Sequence, residues 1–186
     1  MDYALFRLIN GLAGRSPLLD ELMRFLATDY MVPTIAMTLV VLLWFSGHVE
    51  RQRQIFLALL SVVVTNVVVK AMNLVYFRPR PFTDHDVTLL FYHPSDSSFP
   101  SNSAASLWSL AWAVWTFDRR LGTLFIALAV LMGFSRVYVG VHYPLDIVGG
   151  ALVGIFSAHW VVRRAAPRLN PLIDRTRRVL RHLALT

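Results

Sequence analysis

Long apolar runs broken by short polar stretches dominate this chain. The runs lie at about residues 31–47, 55–77, 104–117, 121–139 and 145–162. The first is near the ~17-residue lower limit for a helix that crosses a bilayer, and the second exceeds it. Together they predict an all-α, polytopic membrane helix bundle with five spans. Residues 1–30 also carry apolar positions at helical spacing, but Gly11, Gly14 and Pro17 interrupt them and Arg7, Arg15 and Arg24 punctuate them. That segment predicts an interfacial N-terminal helix followed by a polar-marked helix, or else a sixth span. After the last run, the tail sets Leu172, Ile173, Val179, Leu180 and Leu183 among arginines. It predicts a basic amphipathic C-terminal helix lying on the membrane surface as an anchor. No repeat or soluble segment intervenes, so residues 1–186 are expected to form a single integral membrane domain.

Composition supports the membrane reading. Charged residues make up 16% of the chain and hydrophobic ones 56%, against about 25% charged in an average soluble domain. Mean hydropathy is +0.54. The absence of cysteine excludes both a disulfide framework and a thiolate metal site. A net charge of +7 raises the question of nucleic acid, but seven of the 17 arginines fall between Arg163 and Arg181, directly after an apolar run. Such juxtamembrane clusters meet anionic lipid headgroups. No basic face with interleaved aromatics stands out, so membrane lipids are the expected partners and nucleic acid is not.

The basic breaks also give an orientation. If the five runs alternate, His48–Gln54, Asp118–Arg120 and the basic tail share one side, which the positive-inside rule makes cytoplasmic. The loops 78–103 and 140–144 then share the outer side. Those two loops and their helix ends hold nearly all the polar residues that membrane placement does not explain.

Three clusters there are candidates for chemistry. "FRPRPF" (Phe77–Phe82) fixes Arg78 and Arg80 between prolines at a membrane boundary. Each guanidinium can snorkel to headgroups, yet its planar donor fork also suits phosphate oxygens. "PSNS" (Pro100–Ser103) precedes a helix-forming run, where Ser101, Asn102 and Ser103 are placed to cap a helix whose positive N-terminus can hold an anion. "SRVYVGVHYPLD" (Ser135–Asp146) brackets a short turn with Arg136, His142 and Asp146. A carboxylate four residues from an imidazole can orient the ring and leave the other nitrogen nucleophilic. The set amounts to a phosphoryl-transfer inventory. It contains no metal-ligand cluster, so neither metal nor cofactor is expected.

The spacing Ser135-Arg136, five residues, His142, three residues, Asp146 resembles the third signature of the type 2 phosphatidic acid phosphatase (PAP2) superfamily. The resemblance covers the second apolar run through the fifth. It implies that His142 attacks phosphorus to form a phosphohistidine, that Asp146 orients it and that Arg136 binds phosphate. In the family's first signature a lysine precedes an Arg-Pro by seven residues. Here Arg80 fits with Asn73 at the lysine position, Arg78 fits with Ala71, and Lys70 is out of register though one helical turn from Asn73. Arg80 and Arg78, with Lys70 or Asn73 beside them, are therefore expected at the phosphate. The second signature, Pro-Ser-Gly-His, reads Pro100-Ser101-Asn102-Ser103. Ser101 and Asn102 can still offer donors to phosphate, but Ser103 stands where the family carries its general acid. Either the chain is a naturally non-catalytic relative or that histidine has been replaced by design. The otherwise complete phosphate site favours the second.

Among the superfamily, "HPSDSSFPSN" and the doubled "RPRPF" look most like the bacterial undecaprenyl pyrophosphate phosphatases of the bacitracin-resistance type. The resemblance implies a polyprenyl pyrophosphate substrate, a place in cell-wall lipid recycling and an active site on the outer face of a bacterial plasma membrane. Phosphatidic acid and phosphatidylglycerol phosphate are alternative substrates. A lipid-phosphate binding or translocating protein without turnover is the alternative from another class.

Overall fold

The structure is a computed structural model that describes residues 1–46, 49–168 and 171. Among these residues all the regular elements are helices. The elements are α1 (Asp2–Asn10), α2 (Pro17–Ala27), α3 (Met31–Ser46), α4 (Val49–Val75), α5 (Pro81–Asp84), α6 (Asn102–Phe117), α7 (Arg119–Tyr138) and α8 (Pro144–Trp160). A π-helical turn over Val161–Ala165 extends α8. The tail that the sequence marks as an amphipathic helix lies, beyond Arg168 and apart from Pro171, outside the described residues.

Three helical stretches are long and apolar enough to cross a membrane: Glu50–Val75, Arg119–Tyr138 and Pro144–Arg168. The pair Pro17–Ala27 and Met31–Phe45, bent by 54° at its break, makes a fourth if it is one span. The sequence pattern predicts five. The difference lies in α3 and α6, each of 16 residues, or about 24 Å at 1.5 Å per residue. A second difference concerns His48–Gln54, expected as a polar loop. Val49–Gln54 is instead the first part of α4, where straight-chain residues favour helix and Arg53 pairs with Glu50 at 3.1 Å.

At the centre stands α6, packed against α4, α7 and α8. Its Leu107, Leu110, Ala111, Ala113 and Val114 join Val32, Ile55, Ala58, Phe125 and Met132 in the main core. In lipid the hydrophobic effect does not hold helices together, so close packing of small residues does. The α6–α8 contact shows it. A Cβ on Gly154 would lie 2.2 Å from the Ala105 carbonyl oxygen, and one on Gly150 2.5 Å from that of Ser101. The outward faces of α4, α7 and α8 expose Val63, Val67, Leu131, Leu152 and Phe156, as suits a lipid solvent.

Two short devices fix the end of the bundle where α7 passes into α8. Gly140, at φ +90°, turns the chain out of α7 in a conformation other residues rarely adopt. Buried Asn10 donates from Nδ2 to the carbonyls of Thr88 and Tyr138, both at 2.8 Å, and its Oδ1 accepts from the Thr88 N–H at 3.1 Å. One side chain thereby ties α1, the 85–101 loop and the end of α7.

Candidate active site

The site forms where the α4–α6 loop, the start of α6 and the α7–α8 turn meet. The loop doubles back on itself: Ser98 N–H donates to the Arg78 carbonyl at 2.9 Å, and Arg78 N–H to Ser97 Oγ at 3.1 Å. Across the bundle, the Ser101 N–H donates to the Asp146 carbonyl at 3.0 Å. That bond, allowed by the close α6–α8 packing, sets Ser101 beside the α7–α8 turn.

His142 lies in that turn and is 4% exposed. Its Nδ1 is 3.5 Å from Asp146 Oδ2 and 3.4 Å from Ser98 Oγ. The fully buried Asp146 carboxylate accepts from Ser98 Oγ at 2.5 Å, the Tyr143 N–H at 2.8 Å and Arg78 Nη1 at 2.6 Å. On the ring's other edge, Nε2 is 3.3 Å from both Arg80 Nη1 and Ser101 Oγ. A proton on Nδ1, facing the carboxylate, leaves the Nε2 lone pair directed at the gap between a guanidinium and a hydroxyl.

Arg80 is held rigidly: Nε donates to the Asp96 carbonyl at 3.1 Å, Nη1 to the Val141 carbonyl at 2.9 Å and Nη2 to Asp96 Oδ1 at 2.7 Å. Ser101 occupies the N-cap position of α6 but makes no side-chain capping bond. Its hydroxyl faces His142 instead, so the capping role expected from the sequence gives way to the site. By contrast, Asp118 caps α7 conventionally, accepting from the Leu121 N–H at 3.1 Å.

A profile of the PAP2 superfamily matches residues 54–169. The chain belongs to this superfamily. It is 32% identical over 174 residues to undecaprenyl-diphosphatase BcrC of Bacillus subtilis, covering 94% of this chain and 89% of that one. Identity to the bacitracin transport permease protein BcrC of Bacillus licheniformis is 35%, over 89% of this chain and 80% of that one. The crystal structure of Aquifex aeolicus LpxE superimposes with a TM-score of 0.71 at 30% identity, covering 87% of this chain and 94% of the other.

As a PAP2 protein the chain brings most of its signature residues together, though in unequal roles. His142, Asp146, Arg80 and Ser101 form the inner group. Arg78 sits one step out, with Nη1 on Asp146 and Nη2 on Asp2 Oδ2 at 2.6 Å, its guanidinium 4.2 Å from the Tyr143 ring centroid. Arg136 is buried, and its Nη2 donates to Ser103 Oγ at 3.1 Å and to Asp29 Oδ1. Asn102 is exposed on the first turn of α6. Asn73 is half-buried, its Oδ1 without a hydrogen-bond partner among the described residues. It lies two helical turns beyond Asn66, whose amide donates to Ser106 of α6 at 3.0 Å. Lys70 is exposed on α4, and no hydrogen bond or ion pair among the described residues joins it to the cluster.

Four partners of the signature residues belong to none of the three signatures. Ser98 sits within the serine-rich run but matches no signature. Asp2, Asp29 and Asp96 are ordinary carboxylates until the fold sets each against an arginine.

Burial pushes the His142 imidazole below its ordinary value. Asp146 opposes that shift, while positive Arg80 and Arg136 add to it. The ring is therefore neutral at neutral pH, the form a nucleophile needs. Among the described residues no group of three or more His, Cys, Asp or Glu is placed to hold a metal ion.

Proposed function

We propose that this chain is an integral membrane phosphatase that converts undecaprenyl pyrophosphate to undecaprenyl phosphate. The observation that carries the reading is the His142 ring, backed on Nδ1 by Asp146 and faced on Nε2 by Arg80 and Ser101. Nε2 attacks the terminal phosphorus, whose oxygens Arg80, Ser101 and the open α6 N-terminus receive. The bond to the bridging oxygen breaks, and the prenyl phosphate leaves. Water then attacks the phosphohistidine, releasing inorganic phosphate and restoring the imidazole.

In this mechanism Ser103 replaces the family's general acid. A serine hydroxyl does not supply a proton near neutral pH, so the site turns over more slowly by up to ~10²–10⁴-fold. A prenyl phosphate leaving group needs that proton less than an alkoxide does, which favours a diphosphate over a monoester such as phosphatidic acid. The names of the relatives, undecaprenyl-diphosphatases among them, point the same way.

The site lies at the ends of α7 and α8 opposite Arg119, Arg120, Arg163 and Arg164, which supports an outer-face site with the basic ends cytoplasmic. In this placement α3 and α6 complete five spans, α1 lies in the outer interface and residues 1–186 act as one domain. The Ser103–Arg136 hydrogen bond favours one second reading, a lipid-phosphate binder that keeps the pocket without turnover.

Phosphate release from undecaprenyl pyrophosphate in detergent tests both. The expected result is slow release by the chain and faster release by Ser103→His, abolished by a further His142→Ala. No release by Ser103→His would defeat the phosphatase reading and leave the binder.

A further inference from the structure

Each arginine around His142 has an aspartate of its own. Arg80 Nη2 donates to Asp96 Oδ1 at 2.7 Å, Arg136 Nη2 to Asp29 Oδ1, and Arg78 Nη2 to Asp2 Oδ2 at 2.6 Å. Asp146 is the carboxylate left over, and it is the one that faces the ring, with Oδ2 3.5 Å from His142 Nδ1. Arg78 Nη1 also donates to Asp146 Oδ1, at 2.6 Å, and would cancel that charge if the guanidinium were not shared with Asp2. Among the described residues the charged groups that act on the ring are Asp146 from α8, Arg80 from the loop before α5 and Arg136 from α7. The Ser98 and Ser101 hydroxyls fill the remaining approaches.

The three partner aspartates differ in how much water they see. The Asp2 side chain is 13% exposed, against 46% for Asp29 and 66% for Asp96. Solvent and salt screen the outer two pairs far more than the inner one. Asp2 is also fixed from a second side, since its Oδ1 accepts from the Leu145 N–H at the start of α8, at 3.0 Å. Its helix has other anchors: buried Phe6 of α1 meets the Tyr143 ring edge-on at 5.6 Å between centroids, and Asn10 ties the far end. Asp2 lies outside residues 54–169, the segment that matches the family.

We propose that Asp2 is a positioning residue for His142: by sharing Arg78 it leaves the Asp146 carboxylate uncompensated, so that Asp146 supports the positive ring that phosphoryl transfer creates. The proposal rests on the phosphatase reading above. As the Nε2 lone pair forms the bond to phosphorus, the bond to the bridging oxygen breaks and its electrons leave with the prenyl phosphate. The ring keeps its Nδ1 proton and becomes a cation. Arg80 and Arg136 disfavour that charge, whereas Asp146 lies against the protonated side and favours it. With Asp2 neutral, Arg78 and Asp146 form a closed pair without net charge, and the phosphohistidine loses its counter-ion.

Rates on farnesyl diphosphate in detergent test this, in Ser103→His protein with and without Asp2→Asn. Asparagine keeps the size of the side chain and an oxygen for the Leu145 N–H, and removes only the charge. Asp2→Asn is expected to lower kcat about tenfold at unchanged KM. The acid limb of kcat/KM is expected to move ~0.5–1 unit to lower pH, because losing a negative charge disfavours the imidazolium. Asp2→Glu, which keeps the charge, is expected to restore both. If Asp2→Asn does not fold, Asp2→Ser, which can still cap α8, carries the same expectation. A limb that stays in place, a loss of kcat that Asp2→Glu shares, or a rise in KM alone overturns the proposal and leaves Asp2 as a cap of α8. The His142 ring resonance, identified by its loss in His142→Asn, is followed by NMR through the same pH range and is expected to titrate lower in Asp2→Asn. Being independent of turnover, it separates a failure at Asp2 from a failure of the phosphatase reading, which falls if Ser103→His releases no phosphate.

Discussion

Arg78 grips the carboxylate of Asp146 rather than facing His142: Nη1 donates to Asp146 Oδ1 at 2.6 Å. Its other terminal nitrogen is taken by Asp2, whose Oδ1 also accepts from the Leu145 N–H at the start of α8, at 3.0 Å. Both ends of the fork are thus spent on protein carboxylates. Arg78→Lys, which cannot bridge two carboxylates with one planar fork, is expected to lower kcat by ~10–100-fold through misorientation of the His142–Asp146 pair. KM is expected to change little. Steady-state kinetics on a prenyl diphosphate check this, and a rise in KM at constant kcat would make Arg78 a direct phosphate ligand.

A histidine at position 103 is expected to discriminate between leaving groups. Ser103→His is expected to raise phosphatidic acid hydrolysis by a larger factor than prenyl diphosphate hydrolysis, within the ~10²–10⁴-fold range of general acid catalysis. Parallel rate measurements on the two substrates give the ratio. Equal gains on both would remove the leaving-group role from this position.

The acid limb of the rate profile is expected to report His142. Its pKa is lowered in the fold by burial and by Arg80 and Arg136, and the proposed attack requires the neutral ring. Activity is therefore present above the folded pKa and lost as pH falls through it, so the acid limb of kcat/KM is expected below the ordinary value of about 6.5. Arg136→Gln removes a nearby positive charge and is expected to move that limb to higher pH. A limb that stays in place would mean that Arg136 does not reach the ring electrostatically.

The α6–α8 contact admits no side chain at Gly154. Gly154→Ala sets a methyl against the Ala105 carbonyl and is expected to destabilise the protein by about 1–3 kcal/mol, as overpacking does. Thermal unfolding in detergent measures it. Because the same contact holds Ser101 against the α7–α8 turn, activity is expected to fall at temperatures where the variant is still folded.

The sequence makes His142, Asp146 and the two loop arginines legible because the determinants of each are local. His142 and Asp146 sit four residues apart across one tight turn, and proline spacing alone marks Arg78 and Arg80. What it hides is how the arginines are distributed. Arg78 and Arg136 read alike as phosphate ligands, yet their partners are Asp2 and Asp29, which lie 76 and 107 residues away and become neighbours only through tertiary packing. Ser101 and Ser103 look like equivalent capping serines, and only the fold turns one toward His142 and the other toward Arg136. The spans follow the same logic. Apolar composition marks α4, α7 and α8, which face lipid. Central α6 is screened by its neighbours and need not match the bilayer in length or in hydropathy.

Asn10 bears on how a lipid reaches this site. Lifting α1 would take the partner from the Thr88 N–H and from the carbonyls of Thr88 and Tyr138, and the buried Tyr138 carbonyl, left unpaired, would carry a penalty of about 1–3 kcal/mol. α1 is consequently fastened to the end of α7 and to the loop before α6 by a single amide. On the phosphatase reading proposed above, a lipid headgroup is expected to enter between the helices rather than past α1.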